Sequence, residues 1–156
     1  MRPHHERAVA KLREMYEPED CCLALIIVGS VAAGTAHDDS DVDHIVVVTD
    51  EEFVRRAAGE TVHYWTADFC DYAGGYVEGK FVDRRFIEEA AVRGSEPARA
   101  QFIGAQVIFS KIPDLSAIVA RIPEYPEQER DHKIRSFYAH MNGLRGYLQY
   151  GEQKGD

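Results

Sequence analysis

The sequence has little cysteine, and what it has is poorly placed for cross-linking. Its three cysteines, Cys21, Cys22 and Cys70, form an odd count with one adjacent pair, which is a poor framework for disulfides. Adjacent cysteines also lack the spacing at which structural zinc sites take their ligands. We therefore expect reduced thiols near the start of a strand, and neither a disulfide nor a zinc centre.

Long apolar runs are also missing. The longest run, Leu23–Val28, has the length of a strand, whereas a helix that crosses a bilayer needs about 20 apolar residues. The charged N-terminal residues, 2–7, lack the apolar centre of a signal peptide. We expect a cytoplasmic protein that makes no contact with a membrane.

Basic residues are outnumbered by acidic ones. The chain has 18 Lys and Arg against 27 Asp and Glu, which gives a net charge of −9. Proteins that bind nucleic acid in general present a basic surface to the phosphates, so this charge argues against a template nucleic acid as partner. It is compatible with a cationic small molecule or a basic partner.

Hydrophobic periodicity predicts strands mixed with helices. Two apolar runs indicate buried strands, and further elements alternate with turn-prone segments. The predicted strands are 23–28, 42–48, 61–65, 76–83 and 105–110, and the predicted helices are 4–16, 50–58, 85–93, 95–102, 113–122 and 126 to about 150, followed by a frayed tail. The pattern predicts an α+β (α/β) fold with one mixed sheet covered by helices, followed by a long C-terminal helix.

We expect residues 1–122 to form a core domain. Residues 123–156 would then form a C-terminal helix that is either part of that domain or the start of a truncated helical domain. Ile134, Phe137, Met141, Leu144 and Leu148 form an apolar stripe along this helix, which indicates a packing partner within or between chains.

The densest set of candidate functional residues lies between the first two strands. Asp41 and Asp43 are two residues apart at the head of a strand, so their side chains point to the same face. Two carboxylates at this distance repel each other unless a cation lies between them. Hard divalent cations prefer such oxygen ligands and often join them to substrate phosphates.

A glycine and a serine end the first strand. Gly29 would let backbone amides approach an anion closely, and Ser30 adds a hydroxyl donor. If the following small residues begin a helix, its free N–H groups would face that anion. A phosphate-binding turn followed by a metal-binding pair is what the transfer of a phosphoryl or nucleotidyl group requires.

Gly29-Ser30, a gap of ten residues and Asp41-Val42-Asp43 together resemble the signature of the nucleotidyltransferase superfamily. This superfamily includes DNA polymerase beta, poly(A) polymerases and antibiotic nucleotidyltransferases. The resemblance implies that Gly29 and Ser30 hold a nucleoside triphosphate and that Asp41 and Asp43 bind Mg²⁺ or Mn²⁺.

The resemblance also implies a third carboxylate from a neighbouring strand, which binds metal and can act as general base. Glu78 and Asp83 are both candidates: Glu78 shares a strand face with Lys80, a possible phosphate contact, while Asp83 could instead cap the next helix. We favour Glu78 and leave Asp83 as the alternative.

The function implied is transfer of a nucleoside monophosphate, with ATP as the expected donor, to an acceptor hydroxyl. The acceptor would be a small molecule such as an antibiotic, or a protein. The alternative is a minimal nucleotidyltransferase, an antitoxin-like module that binds or modifies a helical partner protein. A fragment of a longer enzyme and a homodimer that shares its site are also compatible with the single long helix after the core.

Overall fold

The computed structural model describes residues 1–155. The described residues form five strands, and the second strand spans the predicted residues, 42–48. The strands are β1 (Cys22–Ile27), β2 (Val42–Val48), β3 (His63–Thr66), β4 (Val77–Val82) and β5 (Gln106–Ser110). The helices are α1 (Pro3–Tyr16), α2 (Gly29–Ala33), α3 (Asp50–Ala58), α4 (Arg84–Arg93), α5 (Glu96–Gln101), α6 (Leu115–Arg121), a 3-10 turn (Glu127–Glu129) and α7 (Arg130–Lys154).

Two helix ends differ from the prediction because of residues in the left-handed conformation. Of Pro113 and Asp114, the two residues that the sequence offers as the start of α6, Asp114 is the N-cap; it has a φ of 64°, so the helix itself begins at Leu115. The segment 151–154, predicted to be a frayed tail, continues α7, which ends where Gly155 adopts a φ of 74°. Glycine takes this conformation without steric cost and commonly terminates helices.

The five strands form one mixed sheet in the order β3-β4-β2-β1-β5. Strands β2 and β4 are parallel, and the other neighbouring pairs are antiparallel. The predicted α+β architecture with a mixed sheet, covering helices and a long C-terminal helix is therefore confirmed.

Helices cover both faces of the sheet, and β1 and β2 are buried along nearly their whole length. Helix α1 packs on one face, where Leu12 joins Val46 and Phe81 in one buried cluster. Helices α4 and α6 cover the other face, where Ile87 packs with Val47 in a second cluster. Alternate residues of β2 and β4 thus point into different layers.

Arg99 of α5 is buried, although its sequence context predicts an ordinary helix charge. Its guanidinium donates to three backbone oxygens, those of Gly94 (2.9 Å), Ile122 (2.8 Å) and Glu124 (2.8 Å). These bonds satisfy the carbonyl that follows α4 and two carbonyls at and beyond the end of α6, which explains how a charged side chain is accommodated there.

The chain divides into two compact units, Met1–Glu124 and a second unit that begins at Tyr125. In the second unit none of the described residues of α7 is buried. Its predicted apolar stripe is more than half exposed at every position, from Ile134 (54%) to Leu148 (70%). Within residues 1–155, no helix is both long enough and apolar enough to span a membrane.

Candidate active site

Three carboxylates meet at the edge of the sheet face that α4 and α6 cover, which we call the acid-bearing face. Asp41 directly precedes β2, Asp43 lies within it, and Glu78 is the residue of parallel β4 that pairs with Asp43. One carboxylate oxygen from each of the three lies within 4.8 Å of the other two. All three side chains are partly buried, and their spacing suits a hard divalent cation.

The negative charges of Asp41, Asp43 and Glu78, which we call the acid cluster, favour binding of a cation. The pKa of Asp43 is raised from 3.8 to about 6, first by burial and then by the neighbouring Asp41 and Glu78 carboxylates. Lys80, two residues beyond Glu78 on the same face, opposes this shift. A divalent ion among these oxygens would favour their charged forms.

Asp83 lies outside the acid cluster and serves α4. Its Oδ1 accepts a hydrogen bond from the backbone N–H of Phe86 at 2.8 Å, which makes Asp83 the N-cap of that helix. Of the two candidates for the third carboxylate, only Glu78 is brought to Asp41 and Asp43. Its role as metal ligand and general base stays a prediction.

Gly29 is required by the acid cluster itself. It adopts a φ of 69° at the start of α2, and a Cβ there would overlap the Oδ2 atom of Asp43. The backbone N–H of Val28 also donates to the Asp43 carbonyl at 3.0 Å, which fixes the approach of the two segments. Ser30, the next residue of α2, is partly buried beside this contact.

The residue before Asp41 is held by two side chains from elsewhere in the chain. The carbonyl of Ser40 lies 3.1 Å from Nε2 of His5 and accepts a hydrogen bond of 2.7 Å from the Tyr72 hydroxyl. His5 is fully buried in α1. Sequence reasoning missed this anchor, although His5 lies in helical register with the buried Ala8 of the same helix.

A cavity of about 480 Å³ adjoins the acid cluster on the β3 side. We call this cavity the aromatic slot, and its lining residues are Trp65, Ala67, Gly74, Gly75, Tyr76 and Glu78. Glu78 therefore belongs both to the slot and to the acid cluster. Its Oε1 lies 2.9 Å from Nε2 of His63, the residue of β3 that pairs with Lys80.

Comparison with known families decides the class of protein. The sequence model of the nucleotidyltransferase domain matches residues 6–135. The chain belongs to this family. The mixed sheet with its covering helices is accordingly a nucleotidyltransferase-like fold, and the family supports a transferase activity in general. No curated protein matches the chain.

Two solved structures resemble this chain at low similarity. One is a crystal structure of a toxin–antitoxin with AMP-PNP, at 15% identity and a TM-score of 0.41, with 86% of this chain and 98% of that chain covered. The other is a nucleotidyltransferase-like protein from Exiguobacterium sibiricum, at 15% identity and a TM-score of 0.48, with 81% of this chain and 41% of that chain covered. At these values neither neighbour bears on the reaction of this chain.

Proposed function

We propose that this nucleotidyltransferase moves a nucleoside monophosphate from a nucleoside triphosphate, with ATP as the donor to test first, to an acceptor hydroxyl. The observation that carries the proposal is the acid cluster, in which Asp41, Asp43 and Glu78 offer oxygens within 4.8 Å of one another. Burial and the other two carboxylates raise the pKa of Asp43, an electrostatic conflict that a bound cation would relieve.

Asp41, Asp43 and Glu78 would hold Mg²⁺ or Mn²⁺, because hard cations prefer carboxylate oxygens and the cluster is short of positive charge. The bound metal would supply neutralisation of the charge that develops on the transferring phosphate. Glu78 has a second role in this proposal: it accepts the proton of the acceptor hydroxyl. The hydrogen bond from His63 orients its carboxylate for that step.

Gly29, Ser30 and Lys80 would bind the triphosphate. Gly29 and Ser30 follow β1, on one side of the central strand β2, whereas Glu78 lies on β4 at its other side. Donor phosphates held by Gly29 and Ser30 would extend over Asp41 and Asp43 to Lys80 of β4, and the acceptor would approach them from the Glu78 side. Catalysis would then rest on positioning and on stabilisation of charge.

A second candidate function involves a protein partner. In α7 the side chains of Ile134, Phe137, Met141, Leu144 and Leu148 follow a spacing of three and four residues and are all exposed. Exposed apolar stripes of this kind serve helix–helix association. We propose association with a second copy or with a helical protein through this stripe, and with it a division between a core of residues 1–122 and a C-terminal segment 123–156.

Calorimetric titration of Mg²⁺ with a non-hydrolysable ATP analogue tests the first proposal. We expect binding that depends on Mg²⁺ in the wild-type protein and is lost in Asp41→Ala/Asp43→Ala. The matched control is Asp38→Ala/Asp39→Ala, which removes the same charge from the exposed part of the same loop and should bind normally. Equal binding by both double variants would refute the assignment of the acid cluster.

Light scattering of the purified chain, alone and co-expressed with the product of an adjacent gene, tests the second candidate. A dimer or a stable complex that Leu144→Glu dissociates is the expected result. A monomer under all of these conditions would contradict association through α7.

A further inference from the structure

The aromatic slot places a large exposed ring beside the acid cluster. Trp65 is 72% exposed, whereas its strand neighbour Tyr64 is partly buried on the opposite face, and Trp65 pairs across the sheet with Glu78. Indole faces are costly to leave in water and stack well on flat partners. Trp65 thus offers a stacking surface one strand away from the proposed general base.

Tyr76 fixes the geometry of this surface. Its ring lies edge-to-face against Trp65, with centroids 6.5 Å apart and an interplanar angle of 78°. The Tyr76 hydroxyl also hydrogen-bonds the Asp41 carboxylate. A phenol held at one end by a carboxylate and at the other by an indole forms a fixed corner of the slot.

Glycines form another part of the slot wall. Gly74 has a φ of 76°, a conformation that side chains rarely adopt, and a Cβ at Gly75 would overlap the ring of Tyr72. This part of the wall consequently presents backbone rather than side chains. The volume of about 480 Å³ lies within the range of roughly 300–1,000 Å³ that is typical of small-molecule sites.

We propose that the aromatic slot binds the acceptor and that the acceptor is an uncharged alcohol carried on a planar ring. The ring stacks on Trp65 and directs its hydroxyl to Glu78; this inference rests on the proposed function. The hydroxyl proton passes to the Glu78 carboxylate, and the acceptor oxygen bonds to the α-phosphorus. The bond from that phosphorus to the bridging oxygen breaks, and pyrophosphate leaves.

Planarity is favoured over positive charge as the recognised property. Divalent cations held by the acid cluster would offset its negative charge, so that little attraction for a cationic acceptor would remain. Stacking on Trp65 does not depend on that charge. The slot should accordingly discriminate by ring shape.

Three simple alcohols serve as probes: 2-phenylethanol, whose ring is planar; 2-cyclohexylethanol, whose ring is puckered; and choline, which is cationic and has no ring. Trp65 is the only tryptophan of the sequence, so its fluorescence reports on the slot in the intact chain. In saturating Mg²⁺, we expect saturable binding of 2-phenylethanol with a Kd about five-fold or more below that of the other two. Ligand-observed NMR should show that Trp65→Ala loses this preference and that Trp65→Phe keeps part of it.

Equal Kd values for the three alcohols, or tighter binding of choline, would overturn the proposal. Displacement of 2-phenylethanol by the Mg²⁺-bound ATP analogue would do so too, since the slot would then hold the base of the donor. Nucleotide binding without a ring preference overturns the acceptor class alone. A ring preference without any nucleotide binding overturns the acceptor role together with the proposed function.

Discussion

The two faces of the sheet differ in the environment that they give to a polar side chain of β2: one provides a hydrogen-bond partner, and the other provides groups of like charge. Asp43 and His44 are consecutive residues of β2 and therefore point into different layers. On the α1 face, Nε2 of His44 lies 2.7 Å from the Tyr64 hydroxyl, which in turn hydrogen-bonds the hydroxyl of Tyr16. On the other face, Asp43 has two further carboxylates as its neighbours.

The pKa values express the same difference. Burial lowers the pKa of His44 to about 4, and the neutral ring is satisfied by its hydrogen bond. Burial and like charge raise the pKa of Asp43 to about 6, and Lys80 opposes this rise without cancelling it. Proteins tolerate such conflicts mainly where function requires them. The α1 face therefore supports folding, and the acid-bearing face is suited to chemistry.

The largest effect that separates the two faces is expected from Gly29→Ala. The new Cβ would displace the Asp43 carboxylate and would also hold alanine at a φ of 69°. A displacement of about 1 Å in a catalytic group can lower activity on the order of 10²-fold. Metal-dependent nucleotide turnover, or binding by calorimetry, measures the loss.

Gly34→Ala is the matched control for that substitution. Gly34 has a φ of 78°, but a Cβ there would meet no atom within 4 Å. It should cost about 1–2 kcal/mol of stability from the left-handed backbone and leave nucleotide binding intact. Equal loss of binding in both variants would show that backbone strain, and not contact with Asp43, explains the role of Gly29.

A loss of stability without loss of binding is expected from Tyr64→Phe. The change removes the hydroxyl that bonds both His44 and Tyr16 and leaves their buried polar atoms unpaired. We expect the free energy of unfolding in urea to fall by about 1–3 kcal/mol. Tyr16→Phe should cost less, since His44 keeps its partner; a larger cost for Tyr16→Phe would contradict this account of the network.

The smallest effect is a difference in pH dependence, measured as the Tm of the metal-free protein. The Tm of the Asp43→Asn variant should be about 3–6 °C above that of wild type at pH 8, a figure that allows for solvent screening of the carboxylate repulsion. The pKa of this acid is about 6 when folded and 3.8 when unfolded, so its charge penalises the folded state fully above pH 6. The advantage of the variant should fade below pH 6 and vanish below pH 3.8.

His44→Leu should show the opposite dependence. Since the pKa of this histidine falls from 6.5 to about 4 on folding, protonation of the unfolded chain destabilises wild type increasingly as the pH drops from 6.5 to 4. The deficit of His44→Leu relative to wild type should narrow over that window. A deficit that stays constant with pH would contradict the low pKa of His44.

Local pattern predicts much of this fold because apolar runs and turn residues act over short distances. The C-terminal boundary of β2 follows from the apolar run Ile45–Val48, and Thr49, a residue type favoured at helix N-caps, caps α3. The start of α6 is less predictable, because the left-handed Asp114 reflects its surroundings rather than its own preference.

The sequence by itself determined the strand and helix types, the shared face of Asp41 and Asp43, and the family, because these depend on spacing along the chain. Only the tertiary structure places Glu78, and not Asp83, beside Asp41 and Asp43, since the parallel register of β2 and β4 is a long-range pairing. It likewise brought Trp65 to Glu78 and His5 to Ser40. Such contacts join residues far apart in sequence, and no local periodicity encodes them.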